Sequence, residues 1–367
     1  MIARRMSQID ASGIRKVFDL AATVQDPINL SIGQPDFDVP ESIKEAAIRS
    51  IRDGLNRYTV TQGIEEFRIK LKQRLTAQKG VGDGEILITS GVSGGLLLSL
   101  LATVDEGDEV LIPDPYFVIY KHLTKMLGAV PIYVDTYPDF RLREEVLRPL
   151  ISPRTKLMFV NSPSNPTGVV YSQEELEMVA RLGKEQGFLV LSDEIYDEFI
   201  FDEVPPSMAS LYDKTILLGG FSKTYGMPGW RLGYAYGPAE IIAEMTKLQQ
   251  YTFVCAPSFA QYAVLDALDS LGNEHIDAYR RKRDIIYEGL KENFDVEKPG
   301  GAFYIFPKSP WGSDMEFVET ALRKKLLIIP GSVFSEQDTH FRISFAAGDE
   351  TLEQGLEILN RLAKERP

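Results

Sequence analysis

The segment Phe221–Tyr234 reads FSKTYGMPGWRLGY and places Lys223 next to a serine, with Arg231 eight positions later across a loop rich in glycine and proline. Taken singly these residues do not indicate a function. A Ser-Lys pair usually lies exposed on the surface, and a tryptophan beside an arginine, such as Trp230, often serves only for packing. The segment directly follows TILLG (Thr215–Gly219), an apolar run of the kind that forms a buried strand. Its meaning therefore depends on the strands and turns around it.

Apolar, β-branched runs alternate with helical patterns on the N-terminal side of this segment. These runs are EILIT (Glu85–Thr89), EVLIP (Glu109–Pro113), PIYVD (Pro131–Asp135), KLMFV (Lys156–Val160) and FLVLS (Phe188–Ser192). Nearly continuous hydrophobicity is typical of strands buried on both faces of a sheet. A capping box, Ser172 with Glu175, predicts the start of one intervening helix, and Gly187 predicts its end. Strand–helix alternation of this kind predicts a doubly wound α/β domain.

The pattern changes after Gly272, where a charged helical stretch leads into GGAFYIF, LLIIPGSVF, FRISFA and a final leucine-rich helix. Near the other end of the chain Ile14, Val17, Phe18 and Ala21 recur at helical spacing. We expect the two ends to pack together. The predicted division is a large domain of residues 45–265 and a smaller α+β domain built from residues 1–44 and 266–367.

Composition narrows the class of protein. The net charge of −13 argues against nucleic acid or an anionic membrane as partner. Cys255 is the single cysteine, which excludes an internal disulfide and suits a reducing compartment. The longest mainly apolar run, Leu96–Val104, is too short to span a bilayer, and no apolar signal segment follows Arg4 and Arg5. We therefore expect a cytoplasmic protein, and the spacing of the three histidines predicts no metal site.

The polar residues of interest follow the predicted strands. Gly91, Val92 and Ser93 come after Glu85–Thr89 and open a helix, so their backbone N–H groups form either a phosphate site or simply a tight turn. The others are Asn165, Asp193, Tyr196, Lys223 and Arg231. Because ligands of open parallel sheets bind beyond the carboxyl ends of the strands, these residues are expected to share one site.

One cofactor, pyridoxal 5′-phosphate (PLP), uses all of these groups together. Its aldehyde needs an amine, for which Lys223 is the candidate. Its ring nitrogen stays protonated beside a buried carboxylate such as Asp193. Its phenolic oxygen needs donors, which Asn165 and Tyr196 can supply, and its phosphate needs a helix N-terminus and a fixed cation, Arg231.

In their order and spacing, SPSNPTG, SDEIYDEF and SKTYGMPGWRLGY resemble the class I/II aminotransferases of PLP fold type I, in particular the aspartate-aminotransferase-like subgroup. The similarity runs from LSIGQPDF to FRISFA. It implies a mostly parallel, seven-stranded sheet in the large domain. It also implies a PLP-dependent transaminase that moves an amino group from an L-amino acid to a 2-oxo acid by a ping-pong route through a Lys223 Schiff base. The implied assembly is a homodimer with shared active sites.

The resemblance also implies roles for single residues. Lys223, Asp193 and Tyr196 would be the catalytic residues, with Asn165 contacting cofactor and substrate. Ser222 and Arg231 would hold the phosphate together with the backbone of the Gly91, Val92 and Ser93 turn. Phe117 would stack on the cofactor ring, and Arg342 and Gly33 would bind the substrate α-carboxylate. Tyr58 would reach the phosphate of the neighbouring subunit.

Two departures from the family pattern matter. Gly220 stands where members often have a serine, so phosphate binding should depend more on Arg231 and Tyr58. No basic residue for a distal carboxylate occurs near Tyr251 or within Ser93–Val104. We therefore expect neutral aliphatic or aromatic amino donors. The residues expected to line this pocket are Ile14 and Phe18 of the same chain and Tyr251, which would come from the partner subunit. The residues that could reverse the preference are Lys16, Lys121 and His122.

Two alternatives stay open at this point. A PLP-dependent β-eliminating lyase uses the same lysine and the same electron sink. A non-catalytic PLP-binding regulator, as found fused to DNA-binding modules, is disfavoured because the motifs begin near the N-terminus and the chain is acidic.

Overall fold

The computed structural model describes residues 2–9, 25–270, 272 and 274–365. The strands are β1 (Ile28–Asn29), β2 (Glu85–Thr89), β3 (Glu109–Asp114), β4 (Val130–Asp135), β5 (Thr155–Asn161), β6 (Leu189–Asp193), β7 (Thr215–Gly220), β8 (Gly233–Gly237), β9 (Tyr304–Ile305), β10 (Leu326–Leu327), β11 (Ile329–Pro330) and β12 (Phe341–Ser344). The helices are α1 (Glu41–Arg52), α2 (Glu65–Lys79), α3 (Gly91–Thr103), α4 (Ile119–Met126), α5 (Glu144–Leu147), α6 (Gln173–Gln186), α7 (Met208–Leu211), α8 (Ala239–Tyr251), α9 (Ser258–Ala267), α10 (Ile276–Leu290), α11 (Asp314–Arg323) and α12 (Asp349–Lys364). Short 3₁₀ turns lie at Arg4–Gln8, Arg148–Leu150, Pro228–Trp230, Leu268–Ser270 and Gly331–Val333.

The central sheet has seven strands in the order β2-β8-β7-β6-β5-β3-β4. Strand β8 is antiparallel to both of its neighbours, and the other pairings are parallel. The predicted α/β fold with a mostly parallel, seven-stranded sheet is thus confirmed. Because β8 runs backwards, its first residue, Gly233, lies beside Thr89 and Gly220, the last residues of β2 and β7. The edge where the parallel strands end therefore also receives the loop that precedes β8.

Both faces of the sheet are covered by apolar side chains, as the continuous hydrophobic runs predict. Within β5, Leu157 and Phe159 point to one side and pack in a cluster with Leu96 of α3. Met158 and Val160 point to the other side and pack with α6. Successive strand residues face opposite ways, so an apolar residue at every position is what a doubly covered strand requires.

The ends of α6 follow the sequence signals. Ser172 and Glu175 form a reciprocal capping box at its first turn, in which each side chain accepts a hydrogen bond from the other residue's backbone N–H. Gly187 ends the helix with a φ of 87°, a left-handed conformation that favours glycine. Leu176 and Val179 of this helix pack in one buried cluster with residues of β5 and β6.

The C-terminal part forms an antiparallel three-stranded sheet in the order β11-β12-β9. Strand β1, from before the central sheet, pairs in parallel with β10, and Leu30 belongs to the same buried cluster as Leu326 and Leu356. The two ends of the described chain thus pack together, and the boundaries of two domains stay a prediction. The helix expected over residues 14–21 lies outside the described residues. Among the described helices, none is long and apolar enough to cross a membrane.

Candidate active site

A cavity of about 340 Å³ opens at the edge of the central sheet where the parallel strands end. Its charged lining residues are Asp193, Lys223, Arg231 and Arg342. Seven more of the residues predicted from the sequence also line it: Gly33, Val92, Ser93, Phe117, Asn165, Tyr196 and Ser222. Residues from both ends and the middle of the chain therefore meet in one place, with three cationic side chains and one carboxylate.

Lys223 enters the cavity from the loop after β7, and its Nζ donates a hydrogen bond to the carbonyl oxygen of Gly33 at 2.7 Å. Burial, together with the positive charges of Arg342 and Arg231, lowers the pKa of this amine to about 8, against the opposing effect of Asp193. A pKa near neutrality leaves a usable fraction of the unprotonated amine, which is the nucleophilic form.

Asp193 is the last residue of β6 and is only 2% exposed. Its carboxylate accepts hydrogen bonds from the Tyr120 hydroxyl at 2.7 Å and from the backbone N–H of Ile195 at 3.3 Å. Burial raises the pKa of Asp193 to about 6, and the hydrogen bond from Tyr120 opposes that rise. Both of these donors are uncharged, so a cation placed in the cavity against Asp193 would stabilise its ionised form.

Two residues around Asp193 were missed by the sequence reasoning. Tyr120 is fully buried in α4 and stacks on Phe159, with ring centroids 4.3 Å apart. Asn161, the last residue of β5, donates from its side-chain amide to the backbone carbonyl of Asp193 and accepts from the N–H of Asn165. Tyr120 meets the ring of Phe117 edge to face, with ring centroids 5.8 Å apart, but its contact with Asp193 joins residues 73 positions apart, which no local pattern marks.

Arg342 lies on β12 and is 1% exposed. Its guanidinium donates to the side-chain oxygen of Asn165 at 3.0 Å and to the carbonyl oxygen of Ser31 at 2.9 Å. It is also held between the rings of Tyr304 and Phe334, 4.5 and 4.6 Å from the ring centroids. The buried Nε of Arg342 has no hydrogen-bond partner among the described residues. A buried cation with an unused donor can bind an anion such as a carboxylate.

Gly33 lies where a side chain would not fit. A Cβ atom there would be 2.7 Å from the hydroxyl oxygen of Tyr304, and that hydroxyl hydrogen-bonds the Tyr196 hydroxyl at 2.9 Å. Tyr304 also lines the cavity and is a third residue that the sequence reasoning missed. Glycine at position 33 therefore lets the backbone approach the two tyrosines and Lys223.

The loop before β8 brings Arg231 against the start of α3. Arg231 has φ 55° and ψ 48°, the left-handed region that costs a non-glycine residue about 1 kcal/mol. Gly91 has φ 66°, and a Cβ on it would lie 2.6 Å from a terminal nitrogen of Arg231. Backbone strain of this kind concentrates at functional sites. Val92 and Ser93, in the first turn of α3, line the same cavity as Arg231, whose guanidinium donates to the carbonyl oxygens of Pro228 and Ser90.

Gly220 is closely packed. A Cβ atom there would be 3.2 Å from the Ile195 side chain and 3.3 Å from the carbonyl oxygen of Leu232. A serine at this position would force those neighbours to shift. The close packing of β7 against β8 at this point therefore favours Gly220 over the serine that family members often have here.

A second cavity, of about 370 Å³, lies next to the first, and Glu194 lines it whereas Asp193 lines the first. Lys79 forms ion pairs with Glu194 at 2.8 Å and Asp197 at 2.7 Å. Burial lowers the pKa of Lys79, but the carboxylates of Asp197 and Glu194 outweigh it and raise that pKa well above its usual value. Lys79 thus partly offsets the charge of Glu194, which still raises the pKa of Asp193.

Some predicted residues lie elsewhere. Tyr58 and Tyr251 are 83% and 85% exposed and do not line the first cavity. Lys121 forms an ion pair with Glu336 at 2.6 Å, and neither it nor His122 lines the cavity. Three further residues expected near the substrate pocket lie outside the described residues: Ile14, Lys16 and Phe18.

Comparisons with known proteins agree with this geometry. The family model "Aminotransferase class I and II" matches residues 25–359. A probable aspartate aminotransferase of Methanocaldococcus jannaschii is 39% identical over 99% of this chain and 100% of that protein. Aromatic-amino-acid aminotransferase 2 of Thermococcus litoralis is 35% identical over 100% of this chain and 99% of that protein. The structure of Thermus thermophilus aspartate aminotransferase with maleate superposes with a TM-score of 0.94, at 33% identity and 99% coverage of both chains.

Proposed function

This chain belongs to the aminotransferases of class I and II, and from that membership we propose that it uses Lys223 and PLP to move an amino group from an L-amino acid to a 2-oxo acid by a ping-pong route. The observation that carries the proposal is the cavity in which Lys223, Asp193, Arg231 and Arg342 meet. Its relatives named above are aminotransferases, and none of them is named for elimination. The β-eliminating alternative therefore has no support of its own.

The residues of the cavity fit PLP at each of its polar groups. The turn at Gly91, where a side chain would collide with Arg231, leaves room for a phosphate against the helix N-terminus, Ser222 and Arg231. Asp193 faces the same cavity and can pair with a protonated ring nitrogen. We place Phe117 against the ring face and Asn165 and Tyr196 near the phenolic oxygen.

When bound, PLP supplies an aldehyde that condenses with amines and a ring that withdraws electrons from the substrate Cα. Lys223 acts as the amine nucleophile and then as the base that takes the proton from Cα, for which its pKa of about 8 is suitable. Asp193 keeps a proton on the ring nitrogen. The hydroxyls of Tyr196 and Tyr304 share a 2.9 Å hydrogen bond in which either can be the donor; when Tyr304 donates, the Tyr196 hydroxyl hydrogen is available to the phenolic oxygen.

Arg342 binds the α-carboxylate and thereby selects amino acids and 2-oxo acids as a class. Its position between two aromatic rings and its bonds to Asn165 and Ser31 fix the plane of the guanidinium. A fixed planar cation can hold a carboxylate with two parallel hydrogen bonds. Gly33, next to it, contributes backbone rather than a side chain.

For the rest of the substrate we propose a neutral side chain. Three cationic side chains line the cavity, and each already has a role: Lys223 for the aldehyde, Arg231 for the phosphate and Arg342 for the α-carboxylate. Lys121 is engaged with Glu336. A distal carboxylate would lose hydration without gaining a partner, which costs several kcal/mol.

Because relatives are named for aspartate and for aromatic amino acids, a panel of L-amino acids with 2-oxoglutarate and pyruvate decides this point. An aspartate kcat/KM above every neutral donor by about tenfold contradicts it.

We further propose a cytoplasmic homodimer. Tyr58 and Ser90, the residue before the phosphate turn, line one open depression on the surface together with Phe253 and Cys255. In a two-fold dimer the same patch meets itself, so Tyr58 of each chain would approach the phosphate turn of the other. The exposed aromatic side chains of Tyr58 and Tyr251 agree with such an interface.

The test is chemical. Purified protein with PLP should be yellow, and borohydride reduction should attach the cofactor to the peptide that contains Lys223. The Lys223→Ala variant is the control, because it retains the phosphate site but has no amine to be trapped. An added amino acid should convert the cofactor to its amine form, and release of pyruvate and ammonia without a keto acid would indicate the lyase instead. Protein that takes up no PLP contradicts the proposal.

A further inference from the structure

The loop that carries Tyr58, residues 58–64, contains no strand or helix, and buried glutamines hold it in place. Gln249, on α8, is 0% exposed, and its side-chain amide donates to the carbonyl oxygen of Thr61 at 2.7 Å and to that of Ile88 at 3.0 Å. Gln261, on α9, accepts from the N–H of Ile64 at 2.9 Å and donates to the Thr59 hydroxyl at 3.1 Å. Neither glutamine lines the active-site cavity.

The two acceptors of Gln249 differ in how firmly they are held. Ile88 belongs to β2, which pairs with β8 over five residues. Thr61 has no such ladder, and its segment is otherwise tied to β2 by one backbone bond, from the N–H of Ile88 to the carbonyl of Gln62 at 3.0 Å. Strand β2 is the edge of the sheet. Gln249 therefore fastens a loop of irregular backbone to a rigid edge strand.

Gln249 also holds the neighbouring surface segment. Its backbone carbonyl accepts hydrogen bonds from the N–H groups of Phe253 and Val254, at 3.1 and 2.7 Å. Phe253 and Tyr58 line the same surface depression. The end of α8 thus contacts both segments that border the proposed dimer face, the Tyr58 loop through the side chain of Gln249 and the Phe253 segment through its backbone.

We propose that Gln249 is a positioning residue for the active site of the partner subunit, because it fixes the loop that presents Tyr58 across the interface. This inference rests on the proposed dimer and PLP site. Loss of the Gln249 amide should loosen residues 58–62 and leave β2, with its own ladder, in place. The effect should therefore fall on the partner's phosphate site and spare the site of the same chain.

Gln249→Met is the matched test, since methionine has a similar shape and lacks the two donors. The Oε1 of Gln249 has no partner among the described residues, so its removal strands no donor. Thr246→Val is the control, because Thr246 lies one turn earlier on α8 and its buried hydroxyl donates only to Ile242 within the helix.

Hybrid dimers separate the two sites. Two chains with different affinity tags are co-expressed, and one carries Lys223→Ala, so that borohydride can fix PLP only to the other chain. The PLP fixed to that chain after equilibration at a series of PLP concentrations gives the Kd of its site. With Gln249→Met on the Lys223→Ala chain, the Kd for PLP should rise about tenfold, the loss of one charge-assisted hydrogen bond. With Gln249→Met on the chain that keeps Lys223, the Kd should change less than about twofold. Thr246→Val should change neither.

Tyr58→Phe on the Lys223→Ala chain is the reference and should raise the Kd to a similar extent. Thr59→Val, which releases the other end of the loop from Gln261, should act in the same direction if Gln249→Met fails to fold. A loss confined to the chain that bears Gln249→Met, or an unchanged Kd in both arrangements, overturns the inference. If Tyr58→Phe has no effect across the dimer, the inference falls with the shared site, whereas failure of the wild-type protein to bind PLP contradicts the proposed function itself.

Discussion

The hydroxyl of Tyr120 favours the ionised form of Asp193. Burial raises the pKa of Asp193 to about 6, and the Tyr120 hydrogen bond opposes that rise. In Tyr120→Phe the pKa should rise further, so PLP affinity, which needs the ionised carboxylate, should begin to fall at a higher pH than in the wild type. At pH 7 we expect a loss of about tenfold.

The measurement is the Kd for PLP across a pH series. Tyr116→Phe is the control, because Tyr116 lies in the same segment and its hydroxyl donates to Glu336 rather than to Asp193. A pH profile of Tyr120→Phe that coincides with the wild type would show that Tyr120 serves only to fill space.

The lowered pKa of Lys223 predicts how the stability of the cofactor-free protein changes with pH. Its pKa in the folded protein is lowered from 10.5 to about 8 by burial and by Arg342 and Arg231, so holding its proton destabilises the cofactor-free fold below pH 8. That penalty fades as pH rises from 8 towards 10.5. Cofactor-free Lys223→Met should therefore have a higher Tm than cofactor-free wild type at pH 7, and the difference should shrink by pH 10. A difference that is constant with pH would mean that packing, rather than charge, is responsible.

At the scale of elements, the turn from β2 into α3 depends on a glycine. Gly91→Ala places a Cβ in the left-handed region and 2.6 Å from Arg231, so it should displace the guanidinium and lower PLP affinity. Gly187→Ala is a matched control, with φ 87° and open space around the added atom. Both variants should lose about 1 kcal/mol of stability, measured by denaturant unfolding. Equal PLP affinity in the two would contradict the role of the turn.

The elements themselves were largely predictable, whereas their partners were not. The hydrophobic runs predicted the strands β2 to β7, because a strand buried on both faces leaves no place for alternation. Strand β4, at the edge of the sheet, is the exception, since Val134 is its one buried residue. The capping box and Gly187 marked α6 for local reasons of hydrogen bonding. The reversal of β8 and the contacts of Asn161, Tyr120 and Tyr304 depend on chain segments far apart in sequence, which no local pattern records.

The site was predictable for a different reason. PLP imposes a fixed set of polar demands, and the resemblance assigned residues to them one by one. The structure brings those residues, apart from Gly91 and Tyr58, to the lining of one cavity. It could not be foreseen that Lys121 would be engaged by Glu336, since the partner lies more than two hundred positions away.

At the scale of the whole molecule, we expect sedimentation at micromolar concentration to give about twice the chain mass of 41.2 kDa. Tyr251 is 85% exposed in the single chain and would be buried in the proposed dimer interface. Tyr251→Asp should therefore weaken the dimer, because it would bury an unpaired charge there. PLP affinity should fall in parallel with dissociation. A monomer that retains full PLP affinity would show that each site is complete within one chain.

The pairing of Lys79 with Glu194 has a consequence for how this protein can change over time. Glu194 directly follows Asp193, and its negative charge raises the pKa of Asp193. A lineage that lost Lys79 alone would leave the charge of Glu194 without this partner, so the pKa of Asp193 would rise further. Cofactor binding would then weaken, although Lys79 does not line the cofactor cavity. A lineage that replaced Glu194 together with Lys79 would remove the charge beside Asp193, although it would leave Asp197 without its ion pair to Lys79. Lys79 and Glu194 should therefore be inherited as a pair, and an alignment of descendants would show them covarying.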